Sequence, residues 1–251
     1  MKDFESSTLW SESSFDRYRQ ATGHSGFARL DDTLISTFSP SLKANLQEAA
    51  GVDYAGQGGD VLEAVAACIR HGESAMLVLR CERLVWPVTL FPHKGIYHCP
   101  QDLTVQAATA SLAKIRMDGI EPSIVPTPEV AMYRGGADPS DYHALQPLLW
   151  ALSLYGPRRA LLTEIAGNVA YRALIDDGVV ELVAPGALGS ALRRLKKETV
   201  SLKTMTTWPG MTVERVSRLL NALYLVSGLM MTRSGSVTRI QHGVVGRTRG
   251  I

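Results

Sequence analysis

The sequence predicts an α+β protein in which a small antiparallel-sheet domain precedes a mainly helical, winged-helix-like domain. Three features carry this expectation. Three β-rich runs, at 75–81, 84–91 and 95–99, are separated only by short polar or turn-forming stretches, as in a meander. The stretch 134–139 joins two glycines to a proline and breaks the pattern, marking a linker. Residues 201–233 then read as helix, tight turn, long helix and strand. The expected organisation is a polar N-terminal arm with a short helix at 1–50 and an α+β domain at 51–134. A helical region at 135–251 ends in the winged-helix-like module and a basic tail.

Along the chain, the first 26 residues are rich in Ser, charge and isolated aromatics such as Trp10, Phe15 and Tyr18, an arm expected to fold only where it docks. A helix is expected at 40–50, followed by a glycine-rich turn at 54–59. Asp60 then caps a helix whose apolar face is Val61, Leu62, Val65, Cys68 and Ile69, with His71-Gly72 as its exit. After the three strands come a helix at 103–115 and an edge strand at 120–125, bracketed by Pro122 and Pro126. Beyond the linker, Asp138 is placed to cap a helix with Pro139 at its first position. The apolar run 145–155 holds Pro147, where a helix either starts afresh or bends. Helical spacing recurs at 159–165 and 169–175, and 179–183 reads as a strand.

In the last module, Ser201 and Thr212 are helix caps and Pro209-Gly210 is the chain breaker between the helices. Val213, Val216, Leu219, Leu220, Leu223 and Val226 fall on one helical face. Glu214, Arg215, Ser217, Arg218 and Asn221 are left mostly on the other, expected to be free for binding. Gly228 ends the helix, and 229–231 begins a wing strand that turns at Ser234-Gly235.

The total charge of +2 conceals a division along the chain. From Gly186 onward there are eleven Lys and Arg against two Glu, a net +9, which leaves −7 for everything before. A basic helical module of this kind attracts phosphate backbones and releases their counterions. In a DNA-reading arrangement Arg215, Arg218 and Asn221 face the major groove, Thr212 and Ser217 position phosphates, and Arg233 or Arg239 on the wing reaches the neighbouring backbone.

Catalytic and metal motifs are weak by comparison. Gly56, Gly58 and Gly59 precede a helix, but no Gly-Lys-Ser/Thr follows and Asp60 would repel a phosphate at the cap. His93, His98, Cys81 and Cys99 lack paired ligand spacing, and the adjacent His98 and Cys99 would point to opposite faces of a strand. Nothing marks Cys99, with His98 or His143, as an activated thiol. No catalytic signature, cofactor fingerprint or metal set stands out, so a non-enzyme without cofactor or metal is expected. The first residues lack a secretory signal, no segment approaches a membrane span, and three cysteines fit free thiols in a reducing, cytoplasmic setting.

Residues 212–231, with Val-Ser-Arg, Leu-Leu-Asn-Ala-Leu and Ser-Gly-Leu elements, resemble the long helix and first wing strand of bacterial winged-helix regulators. They are also similar to the closing helical unit of PATAN-type signalling scaffolds. The resemblance implies regulation and partner binding without catalysis. The expected function is a regulatory protein whose basic winged-helix-like region binds nucleic acid. The alternative is an adaptor in a signalling or assembly complex whose basic face meets an acidic protein.

Overall fold

A computed structural model describes residues 10–11, 38–51, 59–81, 84–105, 111–123, 125–134, 137–175 and 184–233. The fold is α+β, with two antiparallel sheets and their helices. In chain order the first half contains β1 (Trp10–Ser11), α1 (Pro40–Gly51), α2 (Val61–His71), β2 (Ala75–Cys81), β3 (Leu84–Phe91), β4 (Ile96–His98), β5 (Arg116–Pro122) and α3 (Pro128–Arg134). The second contains β6 (Tyr142–Ala144), α4 (Leu145–Tyr155), β7 (Val169–Ala173), α5 (Ala187–Leu195), β8 (Val200–Ser201), α6 (Leu202–Met205), α7 (Val213–Leu225) and β9 (Leu229–Arg233). Among the described residues, no helix is long and apolar enough to cross a membrane.

The meander forms as its alternation dictates. β2 pairs with β3 from Ala75↔Leu90 to Cys81↔Leu84, and β3 passes to β4 through a 3-10 turn at Pro92–Lys94. The first sheet runs in the order β5-β2-β3-β4-β6, and β1 lies on β3 at Trp10↔Val85. Inward residues Leu77, Leu79, Trp86, Val88, Leu90 and Tyr97 pack under Leu42 and Leu46 of α1 and Val61, Leu62 and Val65 of α2. Asp60 accepts hydrogen bonds from the Leu62 and Glu63 amides, satisfying two of the free donors that open α2. Gly72 closes that helix with φ 67°, a conformation costly for any residue carrying a Cβ. The three cysteines are free and buried.

Before α4, three expectations change. The run 103–115 is no continuous helix: its described parts are a turn at 103–105 and a 3-10 turn at Ser111–Lys114. Asp102 holds the first turn, its Oδ1 accepting the Thr104 amide at 2.8 Å and the Tyr97 hydroxyl at 2.6 Å, a local alternative to helical bonding. The edge strand begins at Arg116 instead of 120, because its pairing with β2 reaches Arg80↔Arg116 across a bulge at Val78/Leu79. Asp138 caps only a 3-10 turn, Pro139–Asp141, and β6 pairs with β4 from Ile96↔Ala144 to His98↔Tyr142. The first sheet therefore extends past the linker expected at 134.

α4 starts at Leu145, which places Pro147 in the first turn, where the missing N–H has no intrahelical partner to lose. The periodicity at 169–175 resolves as a strand, not a helix: Val169, Tyr171 and Ala173 point inward and β7 becomes the central strand of the second sheet, order β8-β7-β9. The stretch expected to be helical at 159–165 is irregular but for a 3-10 turn at Thr163–Ile165. The strand expected at 179–183 lies outside the described residues.

On the face of the first sheet away from α1 and α2, His98 is buried with neither ring nitrogen hydrogen bonded among the described residues. Its Nε2 lies 3.8 Å from Asp141 Oδ2, and its ring meets Tyr142 edge-on. Burial, and then the neighbouring His143, lower its pKa, whereas burial raises that of Asp141. A histidine that binds protons less readily folded than unfolded withdraws stability as pH falls below the unfolded value of about 6.5, until the folded pKa is passed. Asp141 acts oppositely, gaining stability as pH falls from its raised pKa toward the unfolded one. Urea denaturation at pH 7.5 and 5.5 is expected to show a loss of stability at the lower pH that shrinks in His98→Phe. An unchanged loss would contradict the assignment.

Candidate nucleic-acid interface

The C-terminal unit is assembled from caps and close contacts that the sequence marks. The Ser201 hydroxyl accepts the Thr204 amide to start α6, and Thr212 Oγ1 accepts the Arg215 amide at 3.2 Å to start α7. α7 closes with the left-handed turn on Ser227 (φ 59°), not on Gly228. The amides of Ser227 and Gly228 bond back to Tyr224 and Leu223 in the paired pattern that terminates helices. Gly228 is required for space, since a Cβ there would stand 2.3 Å from Ile175 Cγ1. β9 then pairs with the earlier strand β7, from Val169↔Arg233 to Ala173↔Leu229. The expected wing turn at Ser234-Gly235 lies outside the described residues.

The expected apolar face of α7 is buried at Val216, Leu219, Leu220, Leu223 and Val226, but Val213 is 61% exposed. The polar face is not free, which corrects the expectation made of it. Asn221 is fully buried: its Oδ1 accepts the Leu162 amide at 2.9 Å and its Nδ2 donates to the Ala160 carbonyl at 3.0 Å. Ser217 is buried beside it. Arg218 is held by Glu214, Nε to Oε1 3.1 Å, and by the Leu154 carbonyl at the end of α4. α4 lies along α7, and its chain continues across that face through residues 154–162. Asn221 and Ser217 therefore cannot reach a groove, and Arg218 is committed to the helix junction.

Of the remaining expected contacts, Thr212 is exposed beside its cap bond, and exposed Arg215 donates to the Gly210 carbonyl. Arg233 is exposed on β9 with its guanidinium 3.4 Å from the Glu164 carbonyl. Arg239 lies outside the described residues. A denser run of exposed cations lies elsewhere. Arg193 and Arg194 end α5, Lys197 follows them, and Lys203 lies on α6 just past β8; all four are exposed. Arg194 lies 4.6 Å from the Trp208 ring centroid and pairs with Glu198, so it joins α5 to the turn after α6. Thr204 and Thr207 add hydroxyls, Thr207 being exposed next to Trp208.

These four cations were counted in the charge of the tail but not singled out, because charge alone does not say which side of a helix is covered. A signal for the cover was present: α4 is apolar on all sides, with Leu148, Leu149, Trp150, Leu152 and Leu154 buried, and such a helix needs a second partner besides the first sheet. Cys99, the thiol nearest His98 and His143 in sequence, is buried with its pKa pushed up to about 12, chiefly by burial, and so stays protonated at neutral pH. Comparison of the chain with protein-family models, with curated proteins and with solved structures finds no match.

Proposed function

We propose that this protein is a non-enzymatic regulatory protein whose C-terminal unit binds nucleic acid through the phosphate backbone, using the α5–α6 surface instead of the polar face of α7. The observation that carries this reading is the succession of exposed cations Arg193, Arg194, Lys197 and Lys203 at the end of α5, just after it and on α6, with Arg194 over the Trp208 ring and Arg215 exposed at the start of α7. Cations on helix ends with nearby hydroxyls suit phosphate oxygens, which fix position without reading sequence. Because Asn221 is enclosed and Arg218 is engaged, two of the three side chains expected at base edges are withdrawn and only Arg215 stays exposed, so binding is expected to be nearly indifferent to sequence.

The test is fluorescence anisotropy of the full chain with a labelled random duplex. The triple variant Arg193→Ala/Lys197→Ala/Lys203→Ala is expected to bind about tenfold or more weakly and to lose roughly three units of salt slope. Arg233→Ala, on a separate strand, should change affinity less. Equal binding by the triple variant would refute the assignment of the surface.

A second reading, a protein-interaction adaptor, draws on a different observation. On α3, Met132 is 71% and Tyr133 90% exposed, with Val130 beside them. Exposed apolar side chains on one short helix are a feature of protein contacts, and in this reading the basic surface meets an acidic protein.

A further inference from the structure

Thr89, His98 and Tyr142 are register partners across β3, β4 and β6, so their side chains share one face of the first sheet. Thr89 is 0% and His98 7% exposed, and the Thr89 hydroxyl, both His98 ring nitrogens and Asp141 Oδ2 are buried without hydrogen-bond partners among the described residues. Buried polar atoms left unpaired are rare enough to call for a reason. The seam that holds them is short. The pairs from Ile96↔Ala144 to His98↔Tyr142 are extended by the Cys99 amide on the Asp141 carbonyl and the Leu145 amide on the Gly95 carbonyl, both at 2.9 Å. β6 is an end strand of the sheet and runs straight into α4, which packs on α7.

An imidazolium at His98 has little to meet. From the 3-10 turn, Asp141 Oδ2 lies 3.8 Å from Nε2, beyond hydrogen-bond reach, and the turn is fixed by the Asp141 amide on the Asp138 carbonyl at 3.1 Å. From β6, Tyr142 meets the ring edge-on, while His143 stands on the opposite face beside Tyr97. From β3 there is only the Thr89 hydroxyl. Farther off, Glu129 of α3 pairs with Lys94, Asp138 accepts the Ser140 amide, and Cys99 stays a neutral thiol. Burial, and then His143, lower the pKa of His98 accordingly. We propose that protonation of His98 opens the seam between β4 and β6, so that the two strands form a proton-sensitive latch between the first sheet and α4. A buried charge without an acceptor is costly, and releasing an end strand held by few bonds hydrates it with less disruption than opening the core under α1 and α2.

Residue-resolved hydrogen exchange of the intact chain at pH 7.5 and 5.5, corrected for intrinsic rates, tests the latch. The closed seam binds the proton less readily than the open one, so closure is fully supported above the open-state pKa of about 6.5 and weakens as pH falls through it. The Cys99 and Leu145 amides are expected to exchange faster than those at Leu77↔Val88 and to change little in low urea, as local opening requires. Their protection should fall by up to about tenfold at pH 5.5, the limit for one histidine a unit below that pKa. His98→Phe and His98→Gln should each abolish the fall, which separates His98 from Asp141, whose raised pKa acts in the opposite sense. Seam amides that share the protection and urea dependence of Leu77 and Val88 would overturn the proposal, because the seam would then open only with the whole fold. A fall that persists in both His98 variants would overturn it too.

Discussion

Arg158→Ala is expected to lower the unfolding free energy by about 3–5 kcal/mol, the range for removing one partner of a buried ion pair. The Arg158 side chain is 6% exposed and ties Asp60 and Glu63 at the start of α2 to the chain that runs from α4 toward β7. Without it, the Asp60 carboxylate keeps its capping bonds to Leu62 and Glu63 but loses the charge that offsets its burial. Glu63 keeps the Thr163 amide and hydroxyl at 3.1 and 3.0 Å, which compensate only in part. The neighbouring Arg159→Ala makes a stringent comparison. Arg159 is 77% exposed and 3.8 Å from Glu214, and exposed pairs contribute about 0–1 kcal/mol. Urea denaturation of both variants decides the matter. A similar small loss in each would mean that the buried network does not join the two halves.

The second large effect is expected at Asn221. Asn221→Ala leaves the buried Leu162 amide without its acceptor and the Ala160 carbonyl without its donor, at a cost of about 2–4 kcal/mol. An exposed helix residue that reads bases would cost no more than about 0.5 kcal/mol on truncation. A loss near the lower figure, together with weaker nucleic-acid binding, would restore the polar face of α7 as a reading surface and contradict the packing described above.

Local signals were legible wherever one residue's chemistry decides the outcome. Asp60, Ser201 and Thr212 cap helices as their oxygens dictate, and the alternation of 75–81 and 84–91 forms the expected paired strands. The failures arise where a distant partner decides. Val169, Tyr171 and Ala173 suit either period over so short a run, and only pairing with β8 and β9 makes them a strand. β6 belongs to the first sheet because β4 offers a free edge, which no local pattern near 142 reveals. The polar face of α7 looked solvent-facing for the same reason: a polar side chain at helical spacing is equally suited to water or to the backbone groups of a crossing segment. Asn221 takes the second role. Its position between apolar Leu219, Leu220 and Leu223 was the available hint, since an amide flanked so closely by core residues lies near the margin of the buried arc.

The most direct test of the central claim is the salt dependence of binding of the intact chain to several duplexes of unrelated sequence. The phosphate-contact account predicts a linear fall of log K with log salt, about −0.9 per phosphate contacted and equal for every duplex. No measurable binding at low salt, or a preference among duplexes exceeding about a hundredfold, would contradict it.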